Sequence, residues 1–92
     1  SVSGLYVKPT IHDITTPRDM AILARYLLIR HPEILKYSAT KVRGFRNNTF
    51  TLRSHNHLLL RYHGMDGLKT GYYHRAGFNL VATAKRGNQR FI

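Results

Sequence analysis

The residues best suited to chemistry lie in the stretch Met65-Asp66-Gly67-Leu68-Lys69-Thr70-Gly71-Tyr72. Placed on a strand at the edge of a cleft, the Lys69 ammonium and the Thr70 hydroxyl can both donate to an anion. A free carboxylate at the end of a peptide is the natural acceptor, and a charge-assisted pair of this kind is short and strong. Gly71 has no side chain, so the backbone of a ligand can lie close beside the strand. Three residues alone carry little weight, because an exposed turn with a lysine gives the same letters. The flanking Asp66-Gly67-Leu68 and the strand that follows must supply the rest.

Two other spacings invite a catalytic reading. Ser38-Ala39-Thr40-Lys41 is formally Ser-x-x-Lys, and Ser54-His55-Asn56 is formally Ser-x-Asn. A serine and a lysine three apart cooperate only when a helix stacks them one turn apart on one face. After Lys41 the chain runs Val42-Arg43-Gly44-Phe45-Arg46-Asn47, which is poor helix and good hairpin. Both spacings are therefore expected to be decoys, with Ser38 and Lys41 kept as the alternative catalytic pair. Among the six histidines, His55 and His57 are expected on one side of a strand, which is a possible ligand pair. No cysteine or carboxylate cluster joins them or His63, and Asp66 reads as a turn residue. Structural or solvent-facing histidine, with no metal, is the expectation.

The elements that must position Lys69-Thr70-Gly71 are legible from period and punctuation. Residues 1–15 read as an irregular entry broken by Gly4, Pro9 and Asp13. Thr16 is a good N-cap, Pro17 suits the first helical position, and Asp19 sits three residues on, as in a capping box. Met20, Leu23, Ala24 and Leu27 form an apolar stripe that Ile22, Tyr26 and Ile29 widen, so the helix is expected to be buried on more than one side. His31-Pro32 ends it, and Pro32 to Tyr37 has room for one or two further helical turns. Val42, Phe45, Phe50 and Leu52 flank Asn47-Asn48 and predict a β-hairpin. Asn56 to Leu60 reads as a short helix or turn, and His63 to Gly67 as a loop. Leu68 to Tyr73 and Phe78 to Ala84 read as strands, the second with Phe78, Leu80, Ala82 and Ala84 on one face. Arg86-Gly87-Asn88 is a turn, and Gln89 begins a third strand.

Composition sets the outer bounds. Ninety-two residues make one small domain, which buries only about 60–65% of its unfolded surface. With no cysteine, neither disulfides nor thiolate metal sites are available. No apolar run approaches the length of a membrane span. The net charge of +11 draws the chain to polyanions without specificity. Arg43, Arg46, Arg53, Arg61 and the pair Lys85-Arg86 are scattered, whereas a nucleic-acid module more often shows a dense basic stripe with exposed aromatics.

Along nearly its whole length the sequence resembles the low-molecular-mass penicillin-binding proteins, the D-Ala-D-Ala carboxypeptidase family. Lys-Thr-Gly on a strand is one of three signatures of penicillin-binding proteins and β-lactamases. Asp66-Gly67-Leu68-Lys69-Thr70-Gly71-Tyr72 matches that third motif closely. Ser3-Gly4-Leu5 is similar to the small-Gly-Leu that follows the second motif. Thr15-Thr16-Pro17-Arg18-Asp19-Met20 resembles the family's Ser/Thr-Thr-Ala-Arg-Asp-Met helix start, with Pro17 for the usual alanine. Asn56-His57-Leu58-Leu59 resembles its Asn-x-Leu-Leu turn, and Gly77-Phe78-Asn79-Leu80-Val81-Ala82-Thr83-Ala84 its following strand. Where the family often has threonine after Gly-Tyr, this chain has Tyr73.

The resemblance implies an α+β fold, with helices packed on an antiparallel sheet, as a fragment of the β-lactamase/transpeptidase-like fold. It implies a serine enzyme of the bacterial cell wall that forms an acyl-enzyme on D-Ala-D-Ala peptides, with no metal or organic cofactor. Lys69 and Thr70 would grip the terminal carboxylate, Gly71 and the strand backbone would align the acyl group, and Tyr72 and Tyr73 would wall the cleft. Residues 1–92 are then expected to be one partial domain, with the nucleophile upstream of residue 1 and no catalytic residue in this chain. The implied partners are a peptidoglycan stem peptide ending in D-Ala-D-Ala, β-lactams and the remainder of the catalytic domain. The implied place is the periplasm or the outer face of the cytoplasmic membrane. A non-catalytic module that binds cell wall or polyanions, nucleic acid included, is the alternative.

Overall fold

The computed structural model describes residues 3–5 and 12–92. The Pro9 part of the expected irregular entry lies outside them. Helix α1 runs Pro17–Arg30, and the Thr16 hydroxyl accepts the Asp19 backbone N–H at 3.1 Å. Such a cap contributes about 1 kcal/mol by satisfying an end N–H that has no helical partner. Pro17 occupies the first turn, where its missing N–H costs nothing. His31 leaves the helical region just before Pro32. A 3₁₀ turn, Pro32–Ile34, then leads into the short helix α2, Leu35–Ser38.

Strands β1 (Val42–Phe45) and β2 (Phe50–Arg53) pair antiparallel and form the expected hairpin. Its turn holds Arg46, Asn47 and Asn48 at positive φ. Asparagine tolerates that conformation well, and both the Thr49 N–H and its hydroxyl close the turn on the Arg46 carbonyl. Helix α3 covers Leu58–Arg61. Strands β3 (Met65–Tyr73), β4 (Gly77–Arg86) and β5 (Gln89–Phe91) make an antiparallel sheet in the order β3-β4-β5. Helices α2 and α3 pack against β3, and α1 packs against β4.

Two expectations give way here. The second half of the expected 63–67 loop belongs to β3, which starts at Met65 with a register shift between Met65 and Gly67. Tertiary partners of Asp66 and Gly67, described below, override the loop signal of the glycines. Helix α1 is not buried all round. Ala24 and Leu28 face inward with Met20 and Leu27 half-buried, while Leu23, Ile22, Tyr26 and Ile29 are exposed. A three-stranded sheet covers one flank of the helix and leaves the other open. Phe78 on β4 is likewise 90% exposed. The radius of gyration of 14.8 Å exceeds the roughly 12 Å of a compact domain of this length. The elements thus present much of their apolar surface outward instead of closing around one core.

Candidate functional site

Strand β3 is fixed at its start from both sides. The Arg90 guanidinium reaches across from β5 and donates to both carboxylate oxygens of Asp66, each at 3.0 Å. The Thr83 hydroxyl on β4 donates to Oδ1 at 2.9 Å. Such a forked pair fixes orientation as well as adding energy. Asp66 is therefore the anchor of the sheet and not the turn residue its sequence context predicts. On the other side, the Ser38 hydroxyl donates to the Asp66 backbone carbonyl at 2.6 Å. The Asn56 side-chain amide donates to the Gly67 carbonyl at 3.0 Å.

Asn56 is itself held in place. Its Oδ1 accepts the Leu58 N–H at 3.2 Å, and its own N–H donates to the Ser54 hydroxyl at 3.1 Å. A buried polar group needs partners of this kind to offset its lost hydration. Gly67 is buried between these contacts. A Cβ there would stand 2.7 Å from the Thr83 hydroxyl and 2.9 Å from the Ser38 hydroxyl, so a residue with a side chain does not fit.

The two serine spacings are placed by the same contacts. Helix α2 ends at Ser38, whose hydroxyl is committed to β3, while Lys41 lies beyond the helix. The two are not stacked on one helical face. Ser54 lies just after β2 and serves the turn that carries Asn56. His55 and His57 sit in that turn and not along one side of a strand, contrary to expectation, because β2 stops at Arg53. Among the described residues, no three His, Cys, Asp or Glu side chains come together as a metal site.

Past Gly67 the strand changes character. Among the described residues β3 pairs with β4 alone, so its other edge is open. A groove of about 360 Å³ runs along that edge, between β3 and the β1–β2 hairpin. Lys69 and Thr70 line it, facing Tyr37, Arg43, Arg53 and Ser54. The Lys69 ammonium, on an exposed residue, donates to the Thr70 backbone carbonyl. The Thr70 hydroxyl makes no hydrogen bond among the described residues, although Thr70 is half-buried. A Cβ built on Gly71 would meet nothing within 4 Å, so the space beside it is empty.

Tyr72 and Tyr73 lie further along and outside the groove lining. Tyr72 packs on its cross-strand neighbour Phe78, with ring centroids 4.5 Å apart. Tyr73 stacks on His12, and its hydroxyl lies 3.2 Å from His12 Nδ1. Arg75 donates to His12 Nε2 at 2.8 Å. In the neutral ring Nδ1 therefore carries the proton and donates to Tyr73. The residue that departs from the motif is thus engaged with the segment before α1. Two cationic walls, an unused hydroxyl and an open strand edge together can bind an extended, anionic peptide end.

Sequence reasoning missed the Asp66–Arg90 pair, the Asn56 latch and the arginine wall. Only Asn56 left a signal, since Asn-x-Leu-Leu was read as a turn without the carbonyl it grips. Nothing in the sequence links Arg90 to a carboxylate 24 residues away.

The D-alanyl-D-alanine carboxypeptidase family matches residues 2–92. The chain belongs to that family. It is similar to the D-alanyl-D-alanine carboxypeptidase DacF of Bacillus subtilis, at 44% identity over 77 residues, covering 80% of this chain and 20% of DacF. It is similar to DacC of Escherichia coli at 37% identity over 90 residues, covering 90% of this chain and 22% of DacC. In three dimensions it superposes on penicillin-binding protein D2 of Listeria monocytogenes, solved in its ampicillin-bound form. That match has a TM-score of 0.85 at 36% identity and covers 98% of this chain and 36% of the other. A cefotaxime-bound form of the same protein superposes equally well. The chain spans about a fifth of the length of the curated carboxypeptidases it matches. Its fold is α+β, helices on an antiparallel sheet, and belongs to the transpeptidase-like fold of the penicillin-binding proteins. No helix among the described residues is long and apolar enough to cross a membrane.

Proposed function

We propose that this segment supplies the carboxylate-binding edge of a serine-type D-Ala-D-Ala carboxypeptidase that trims peptidoglycan stem peptides in the bacterial cell envelope, outside the cytoplasmic membrane. The observation that carries the reading is the open edge of β3. Lys69 and Thr70 line one groove there, next to the empty space at Gly71 and directly after a start fixed by four side chains. The Lys69 ammonium and the Thr70 hydroxyl take the terminal carboxylate of D-Ala-D-Ala, and the β3 backbone lies alongside the ligand. Tyr72 and Tyr73 wall the far end of the strand.

The nucleophile comes from polypeptide outside these residues, on the same or another chain. Its serine attacks the D-Ala-D-Ala carbonyl, D-alanine leaves, and water releases the acyl-enzyme. β-Lactams acylate the same serine. Ser38 and Lys41 have a structural part only. No metal or organic cofactor enters.

The test is fluorescent-penicillin labelling of the full-length polypeptide that carries this segment. Labelling that survives Ser38→Ala and weakens strongly in Lys69→Ala is the expected result. Covalent labelling of the 92-residue chain alone, at Ser38, would overturn it. The reading as a simple polyanion binder rests on the +11 charge, and it requires nucleic-acid binding that outlasts moderate salt.

A further inference from the structure

The β1–β2 hairpin has no part in the clamp on β3, and it ends in exposed aromatic rings. Every residue of both strands is exposed. Phe45 and Phe50 stand opposite each other in the last pair before the turn, 50% and 56% exposed. Cross-strand partners share a face, so the two rings form one apolar tip. The Arg46 guanidinium rests over both, 5.5 Å from the Phe45 centroid and 6.0 Å from that of Phe50. Neither ring lines the groove along β3.

The charge around this tip has one sign. Between Glu33 and Asp66 the sequence has no acidic residue, while Lys36, Lys41, Arg43, Arg46, Arg53 and Arg61 fall there. The other exposed apolar surfaces differ. Helix α1 carries Asp19 in its first turn, and the Tyr72–Phe78 pair lies on a broad sheet face, the shape that a second protein layer covers. Protein closing over the hairpin tip would desolvate the Arg46 charge along with the rings. A soluble polyanion would take the charge and leave the rings in water. The surface of an anionic bilayer suits both. Aromatic rings settle at the boundary of headgroups and acyl chains, and guanidinium groups stay among phosphates and water.

We infer that the tip formed by Phe45, Arg46 and Phe50 docks on the surface of a membrane that contains anionic lipid. The hairpin enters the headgroup layer and does not cross the bilayer. Two rings and a few cations make a weak, reversible contact. The inference rests on the reading that places this chain outside the cytoplasmic membrane, and it makes no use of the Lys69 site.

The test uses the full-length polypeptide with vesicles of phosphatidylcholine, alone or mixed with phosphatidylglycerol. At low salt, binding to the mixed vesicles is expected, with little to phosphatidylcholine alone. Phe45→Thr/Phe50→Thr should weaken it about tenfold, and Arg46→Gln about fivefold. Neither change should move the unfolding midpoint or penicillin labelling in solution. Phe50→Trp supplies a local probe, whose emission brominated acyl chains should quench beyond any quenching of the unsubstituted protein. Vesicle binding without that added quenching means that another element docks, and it overturns the inference. So does a lack of binding, equal binding to both vesicles, or an affinity that the two threonines leave unchanged. A markedly lower unfolding midpoint in Phe45→Thr/Phe50→Thr also overturns it, because the tip is then covered by protein. The location is read separately, by protease added to intact spheroplasts. Protection of the polypeptide there overturns the location and leaves the vesicle result standing.

Discussion

The two halves of β3 are built to opposite rules. From Met65 to Gly67 the strand is half-buried or buried, and side chains from α2, the 54–58 turn, β4 and β5 all close on it. From Lys69 to Tyr73 it is mostly exposed, and one edge carries only a groove. One continuous strand thus joins a clamp to an open edge, the edge proposed above to take the ligand. A binding group must stand still without its neighbours doing the binding, and rigid support from behind is how a protein achieves that. The clamp half should therefore respond to substitution in stability, and the open half in ligand binding alone.

The largest effect should come from Gly67→Val. It drives a side chain into the Thr83 and Ser38 hydroxyls and should lower unfolding free energy by about 3 kcal/mol, read as a lower unfolding midpoint. Next is Lys69→Ala on the open half. Loss of a charge-assisted contact should lower kcat/KM on a D-Ala-D-Ala peptide by roughly thirtyfold, about 2 kcal/mol, with the unfolding midpoint unmoved. A thermal shift as large as that of Gly67→Val would erase the distinction between the halves. Asp66→Ala should cost about 1.5–2 kcal/mol of stability, because Arg90 and Thr83 lose their shared acceptor. Ser38→Ala should cost about 1 kcal/mol of stability and leave penicillin acylation intact, which separates a structural serine from a nucleophile.

The smallest effect concerns Glu33, away from both halves. Its carboxyl is held below the ordinary glutamate range by its own backbone N–H and by His31. A depressed carboxyl adds stability above its unfolded pKa and loses it as pH falls through the lower folded one. Glu33 is fully exposed, so an NMR titration should show the lowered midpoint while Glu33→Gln leaves the unfolding midpoint in place.

The local part of the fold was readable because its causes are local. Thr16, Pro17 and Asp19 mark the start of α1 within one turn of chain, and Asn47-Asn48 marks the hairpin between its strands. Lys69-Thr70-Gly71 was legible because its flanks are contiguous with it. What escaped depends on residues far apart in the chain. Asp66 looks like a turn residue until Arg90 arrives from β5. Leu23 and Ile29 look like core until the sheet proves to cover one flank of α1. Arg43 and Arg53 look like scattered surface charge until the fold brings them to the lining of the groove that Lys69 also lines.

Asn56 carries a consequence of a different kind. Its amide nitrogen donates to the Gly67 carbonyl while its oxygen accepts from Leu58. Hydrolytic deamidation, the common ageing reaction of asparagine, would replace that nitrogen with a carboxylate oxygen facing a carbonyl oxygen. Attraction would become repulsion two residues before Lys69. A single chemical lesion at the groove's own lining would then loosen the clamped start of β3, and it would be read first as lost stability.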